Sequence, residues 1–310
     1  MVRRFLIDTD TVSDDAVALV MALKYPDVHV EAITVVAGNV PLDQAVQNAL
    51  YTVELAGATV PVHAGAAAPL MRPLETAQNV HGLDGMGDIH LPLTGRIPAP
   101  GHAVDLLVET INRYPGEVTL VTLGPLTNIA LAVLRDPTIA GKVAACVVMG
   151  GIGRGYGNIT PVAEFNIWAD PEAAKIVFGA GLPLTMVGWD MSYRFAVFGP
   201  EDAAALRAIG TPLATFCVDI QGVLDVFARE VSGLAGFDLP DPIAMAVALE
   251  PAVATATEQR FVAIETGGEW CRGQTVVDIR GMTGLPANTT IVLEASRERF
   301  VAMLHDAVRG

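Results

Sequence analysis

The stretch "FLIDTDTVSDDAVAL", residues 5–19, carries four carboxylates, Asp8, Asp10, Asp14 and Asp15, directly after an apolar run of buried-strand character. It is followed at once by an apolar segment long enough for a helix. Strand, short turn and helix in this order make the first unit of a repeating β–α pattern. Like charges this close repel, so four acids kept together imply something that neutralises them. Asp14 and Asp15 fall at the start of the helix, where the macrodipole favours negative charge. That accounts for one or two acids, not four. The stretch contains neither His nor Cys, so an all-oxygen set suits a hard divalent cation, Ca²⁺ or Mg²⁺, rather than zinc.

Outward from this point the β–α alternation continues. Apolar runs at 3–8, 30–38, 60–65, 118–124, 142–151 and 182–190 read as strands, and their Val, Ile and Leu content suits strands buried on both faces. Helical stretches fit between them at 14–24, 42–57, 101–114, 126–135 and 171–180. The pattern predicts an α/β protein with a single-domain, open, mostly parallel, Rossmann-like sheet and helices on both faces, one domain over 1–310. The Gly- and Pro-rich piece 64–100 reads as a functional loop or lid. Ligands in such sheets sit beyond the carboxyl ends of the strands. Asp8, Asp10, Gly38, Asn39, Leu123, Gly124, Met149, Gly150 and Asp190 all fall at those ends.

Two further polar knots stand out. In "GNITPVAEFNIWADPE", Glu164 and Asn166 flank Phe165 on what reads as a short extended piece, with Asn158 upstream and Asp170 as a helix N-cap. In "GFDLPDPIAMAV", Asp241 precedes a proline and, taken alone, also reads as an N-cap.

The bulk numbers narrow the partners. The chain has 310 residues, 52% of them hydrophobic, and a formal net charge of -15, which argues against nucleic acid or an anionic membrane as partner. Three cysteines, Cys146, Cys217 and Cys271, are far apart and odd in number, so a reducing, cytoplasmic setting is expected. The N-terminus reaches a strand without the apolar core of a signal peptide. The uncharged runs 118–134 and 176–189 are broken by Gly, Pro or Asn and do not read as membrane spans.

Taken together, "DTDTVSDDA", "VVAGNV", "HGLDGMGD", "LGPLTNIA", "VMGG", "EFNIWADPEAA", "DPIAMA" and "RGQTVVD" resemble the inosine-uridine-preferring nucleoside hydrolases, and the resemblance spans nearly the whole chain. It implies Ca²⁺-dependent hydrolysis of the N-glycosidic bond of ribonucleosides to ribose and free base, by a homodimer or homotetramer. On matching positions, Asp10, Asp15, the main-chain carbonyl of Leu123 and Asp241 would bind the metal, and Asp10 would activate a metal-bound water. Asp14, Asn39 and Asn166 would hold the ribose 2′- and 3′-hydroxyls. Asn158 and Glu164 would lie near the 5′-hydroxyl, and Met149 beside the sugar. The acids of the opening stretch would then serve a cation and a ribose.

The chain departs from the family pattern twice. Thr11-Val12-Ser13 replaces the usual Pro-Gly-x, which removes a residue tolerant of positive φ and leaves Ser13 to cap the helix. Pro240 replaces a histidine that helps protonate the departing base, a loss set against the roughly 10²–10⁴-fold that general acid assistance supplies. His81, which matches a base-side histidine seen in pyrimidine-preferring members, is the substitute catalytic candidate. Trp189, Phe227 and Phe237 are candidates for stacking on the base. Two rival readings use the same residues. A haloacid-dehalogenase-type phosphatase also ends its first strand in DxD, and a catalytically weakened nucleoside- or ribose-binding protein would keep this pocket without turnover.

Overall fold

The structure, a computed structural model, describes residues 2–309. Its spine is β1 (Arg3–Thr9). Phe5 and Ile7 face one core layer and Leu6 the other, as the period of two requires. β2 (Val28–Val35) and β3 (Val62–Ala64) lie to one side, and β4 (Val118–Thr122), β5 (Val143–Met149) and β6 (Leu184–Val187) to the other. These six strands are parallel in the order β3-β2-β1-β4-β5-β6. All six expected strands and all five expected helices are present, with shifted ends.

The last third adds what the sequence pattern did not reveal. β7 (Val197–Phe198) pairs antiparallel with β8 (Phe237–Asp238). β9 (Ala254–Arg260) forms the far edge of the main sheet, and β10 (Val262–Ile264) pairs antiparallel with β11 (Thr275–Val277). β12 (Thr289–Ala295) inserts between β6, to which it is parallel, and β9, to which it is antiparallel. The main sheet thus has eight strands. Helices Ser13–Lys24, Pro240–Leu249 and Arg297–Arg309 bury their apolar residues on one face, and Ala103–Arg113, Thr127–Arg135 and Pro171–Gly179 on the other. Among the described residues no helix is long and apolar enough to cross a membrane.

After β1 the chain winds outward to β3 and then returns to the other side of β1 for β4. The strand order therefore reverses between β1 and β4, and the crevice at their carboxyl ends is where this architecture places a ligand. One acid of the opening stretch belongs to the frame instead. Asp8 is fully buried and accepts hydrogen bonds from Thr34 Oγ1 of β2 at 2.6 Å and Asn128 Nδ2 at 2.8 Å. Asn128 also donates to the Val35 carbonyl at 3.1 Å and accepts from Ala66 N at 2.9 Å. Asp8 thus ties two strands to the Thr127–Arg135 helix, and the expectation that it serves a cation or ribose is corrected.

The loop that lost its glycine needs none. Val12, the helix N-cap, is extended at φ -117° and ψ -159°. Its N–H donates to Asp15 Oδ2 at 3.0 Å, and Thr9 Oγ1 donates to Asp15 Oδ1. Ser13 does not cap. The helix starts one residue earlier than expected, so Ser13 is its first residue and the hydroxyl is free to turn elsewhere.

Candidate active site

A cavity of about 590 Å³, counting the open solvent at its mouth, lies over the carboxyl ends of β1 and β4. One side is built by strand ends and the loops that follow them. The other is built by the Gln78–His81 turn, the Trp189–Phe195 helix and residues 224–241.

At the strand side Asp10 follows β1 and is fully buried. Its Oδ2 accepts the Asn39 N–H at 2.6 Å. Gly38 and Gly124, beyond β2 and β4, close on the carboxylate so tightly that a Cβ at either would collide with it. Asp14, Asp15 and Asp241 each present a carboxylate oxygen, all within 4.8 Å of one another. Asp241 reaches them because its helix begins at Pro240. That puts Asp241 inside the first turn with Leu239 as the N-cap residue, so the N-cap reading of Asp241 is corrected. Burial pushes Asp14 and Asp15 up to about 7 and Asp10 and Asp241 well above the usual carboxylate range. Repulsion from neighbouring acids adds to each shift.

A hard divalent cation fits this set. Every available donor is an oxygen, and Asp10 Oδ1, Asp14 Oδ1 and Asn166 Oδ1 are buried with no hydrogen-bond partner. The Leu123 carbonyl, at the end of β4, lines the same cavity and accepts Asn166 Nδ2 at 2.7 Å.

The loop after β5 supplies the rim. Glu164 and Asn166 are not on an extended piece, because Phe165 opens a short helix, Phe165–Ala169, and Glu164 is its N-cap. The Glu164 carboxylate accepts Asn166 N at 2.7 Å, Gly151 N at 2.8 Å and Ile167 N at 3.2 Å. Burial nevertheless raises its pKa to about 7. Asn166 Nδ2 also donates to Met149 Sδ at 3.3 Å, and the exposed Asn158 accepts Phe165 N at 2.9 Å. Asn39, Met149, Asn158, Glu164 and Asn166 all line the cavity. Asp170 caps its helix as expected, accepting Ala173 N at 3.0 Å. Asp190 lies outside the cavity lining, where it accepts Gly153 N at 2.8 Å and Arg154 N at 3.1 Å.

On the other side His81 lines the cavity, and its Nδ1 lies 3.1 Å from Ser13 Oγ and 3.8 Å from Asp14 Oδ1. Burial lowers His81 to about 4, against the pull of Asp15 and Asp238, so the imidazole is neutral at pH 7. Trp189 and Phe227 line the cavity. Phe237 does not; it stacks on Phe198 with ring centroids 5.8 Å apart, which removes it as a base-stacking candidate. Sequence reasoning missed Asp238, a carboxylate in the cavity wall. Its signal was an acid three positions before Asp241 inside an otherwise apolar segment.

The switch point of this Rossmann-ordered sheet carries a buried acid cluster whose oxygens could hold a divalent cation. The family profile described as "Inosine-uridine preferring nucleoside hydrolase" matches residues 5–302. The chain belongs to that family and is a ribonucleoside hydrolase, an enzyme that cleaves N-glycosidic bonds. It is 40% identical to the pyrimidine-specific ribonucleoside hydrolase RihA of Escherichia coli O9:H4 (strain HS), covering 100% of this chain and 99% of that one. Among solved structures, a plant nucleoside hydrolase, the PpNRh1 enzyme, superposes with a TM-score of 0.93 at 33% identity, covering 100% of both chains. A purine-preferring ribonucleoside hydrolase from Gardnerella vaginalis gives 0.92 at 29% identity, covering 99% of this chain and 98% of that one.

Proposed function

We propose that the protein, one hydrolase domain over 1–310, is a Ca²⁺-dependent enzyme that releases ribose and free base from ribonucleosides. The observation that carries this reading is the meeting of buried carboxylates with the Leu123 carbonyl and Asn166 at one end of the cavity. Asp10, Asp15, Asp241 and the Leu123 carbonyl would hold the cation, whose preference for many oxygen ligands they match. Bound there, it supplies positive charge that offsets the acids' repulsion and lowers the pKa of water.

Asp10, fixed by Asn39 N–H, takes the proton of the attacking water. Asp14, Asn39 and Asn166 hold the 2′- and 3′-hydroxyls, while Asn158 and Glu164 face the 5′-hydroxyl and Met149 packs beside the sugar. Three backbone N–H groups already fix Glu164 in place, so its contact to the sugar costs little ordering. As the bond from C1′ to the base breaks, positive charge grows on the sugar, and the surrounding carboxylates stabilise it without reorganising. Pro240 offers the leaving base no proton. His81 stands in as a neutral donor: with Ser13 O–H donating to Nδ1, the ring proton sits on Nε2 and can hydrogen-bond the base.

The substrate is a small-molecule ribonucleoside, and we place the enzyme in the cytoplasm as a homodimer or homotetramer. Free thiols at Cys146, Cys217 and Cys271 support a reducing setting. The test is ribose release from cytidine, uridine, adenosine, inosine, guanosine and p-nitrophenyl riboside, with and without a Ca²⁺ chelator. Chelation should abolish release and added Ca²⁺ restore it. Full turnover in chelator would remove the metal from the mechanism, and tight nucleoside binding without turnover on any substrate would favour the binding-protein reading.

A further inference from the structure

Asp238 takes no part in the chemistry above, yet it is a carboxylate in the wall of the cavity and only 6% exposed. It ends β8 and is held from behind. Trp189 Nε1 donates to its Oδ2 at 2.9 Å, and Ser192 Oγ donates to the same oxygen. An indole N–H can only donate, so Oδ2 is committed as an acceptor. Oδ1 takes no hydrogen bond among the described residues and is the oxygen left to the cavity. This side of the cavity is lined by Val80, Leu224, Phe227, Ala228 and Trp189, all mainly apolar, with His81 and Ser232 as its other polar groups.

A carboxylate oxygen in a mostly apolar wall discriminates mainly through what it rejects. Facing an N–H it gains a charge-assisted hydrogen bond. Facing a carbonyl oxygen, two buried acceptors are left unpaired and the ligand is disfavoured. The sugar is claimed by Asp14, Asn39 and Asn166 at the strand side, so the group that reaches this wall is the base.

We propose that Asp238 is a specificity-determining residue whose free carboxylate oxygen receives an amino N–H of the leaving base, selecting amino bases over their oxo counterparts: cytidine over uridine and adenosine over inosine. Uracil and hypoxanthine each retain a ring N–H, but a carbonyl oxygen sits beside it and approaches the same carboxylate. The proposal rests on the ribonucleoside hydrolase reading.

The experiment measures kcat/KM for the two amino/oxo pairs, each normalised to p-nitrophenyl riboside, which presents no such edge. Dissociation constants for the same four nucleosides, by titration calorimetry, read the preference even where turnover fails. Wild type should favour each amino member by about tenfold or more, the size of one hydrogen bond to a charged group. In Asp238→Asn the amide oxygen takes the place held by Trp189 and Ser192, the NH₂ faces the cavity, and the preference should invert towards uridine and inosine. Asp238→Ala should level the pairs to within about threefold. The proposal is overturned if wild type favours the oxo members, or if Asp238→Asn lowers both members of each pair in parallel. Loss of the aryl riboside reaction in wild type would count against the hydrolase reading alone.

Discussion

The two sides of the cavity come from different kinds of structure. The side proposed to hold the sugar and cation is made of residues that follow parallel strands, Asn39 after β2 and Leu123 after β4 with the fully buried Asp10 after β1, braced by backbone hydrogen bonds and by glycines that admit no side chain. The base side is made of side chains from the Gln78–His81 turn, the Trp189–Phe195 and Gly222–Glu230 helices and β8, held by contacts between side chains distant in sequence. Strand ends are placed by the sheet and cannot drift. Helix-borne residues can be exchanged without disturbing it. Under the proposed mechanism, water activation falls to the rigid side, and choice of base and help to the leaving group fall to the adaptable one.

The harshest way to break this division is at Asp10. Asp10→Ala should lower kcat/KM by about 10³-fold or more on every substrate, the aryl riboside included, since it removes the base proposed to activate water. An Asp10→Ala enzyme that still cleaved the aryl riboside at a substantial rate would show that water activation is not confined to the strand side. Asp241 sharpens the same point through stability. In chelator, Asp241→Asn should melt above wild type, because it removes one of several mutually repelling buried acids. Added Ca²⁺ should then raise the melting temperature of wild type and leave the variant nearly unmoved. A lower melting temperature for the variant in chelator would mean the acids are not in tension.

The same contrast explains what could be read from sequence. β1 to β6 announced themselves because each carries a largely buried apolar run containing Val, Ile or Leu with little polar alternation. β9, "ATATEQR", is an edge strand that alternates half-buried with exposed residues, and nothing in its composition separates it from a loop. Asp10, Asp14 and Asp15 were visible as a cluster because they are neighbours in the chain. Asp238 was not, since its role is made by Trp189 and Ser192, partners 49 and 46 positions away. Ser13 was assigned to capping because a cap depends on the helix start to a single residue, the least legible feature of any helix. Asp8 misled for the opposite reason: it sits among the reactive acids in sequence, but the pleat hands it to Thr34 and Asn128.

On the base side the effects should be smaller and should depend on the leaving group. His81→Ala is expected to lower kcat on natural nucleosides by at least about tenfold and to cost much less on p-nitrophenyl riboside, whose leaving group needs little help. Because burial holds His81 near 4, its protonated fraction between pH 6 and 8 is small and changes nothing that matters there. Wild-type and His81→Ala rate profiles should therefore run parallel over that range. A limb near pH 6.5 that disappears with the imidazole would instead make His81 a protonated acid, and the neutral-donor role would be wrong.

The mildest change tests whether the unusual loop of this chain serves that histidine. Ser13 Oγ is 3.1 Å from His81 Nδ1, and Ser13→Ala would leave the ring free to turn or change tautomer. One neutral hydrogen bond is worth about 1 kcal/mol, so a loss of roughly fivefold on natural nucleosides is expected. The informative measurement is the double-mutant cycle. If Ser13 acts by orienting His81, its removal should cost nothing further once His81 is alanine. An equal loss in both backgrounds would mean the hydroxyl works through Asp14 or the helix start, and the replacement of the family's Pro-Gly-x by Thr11-Val12-Ser13 would then belong to the rigid side of the cavity.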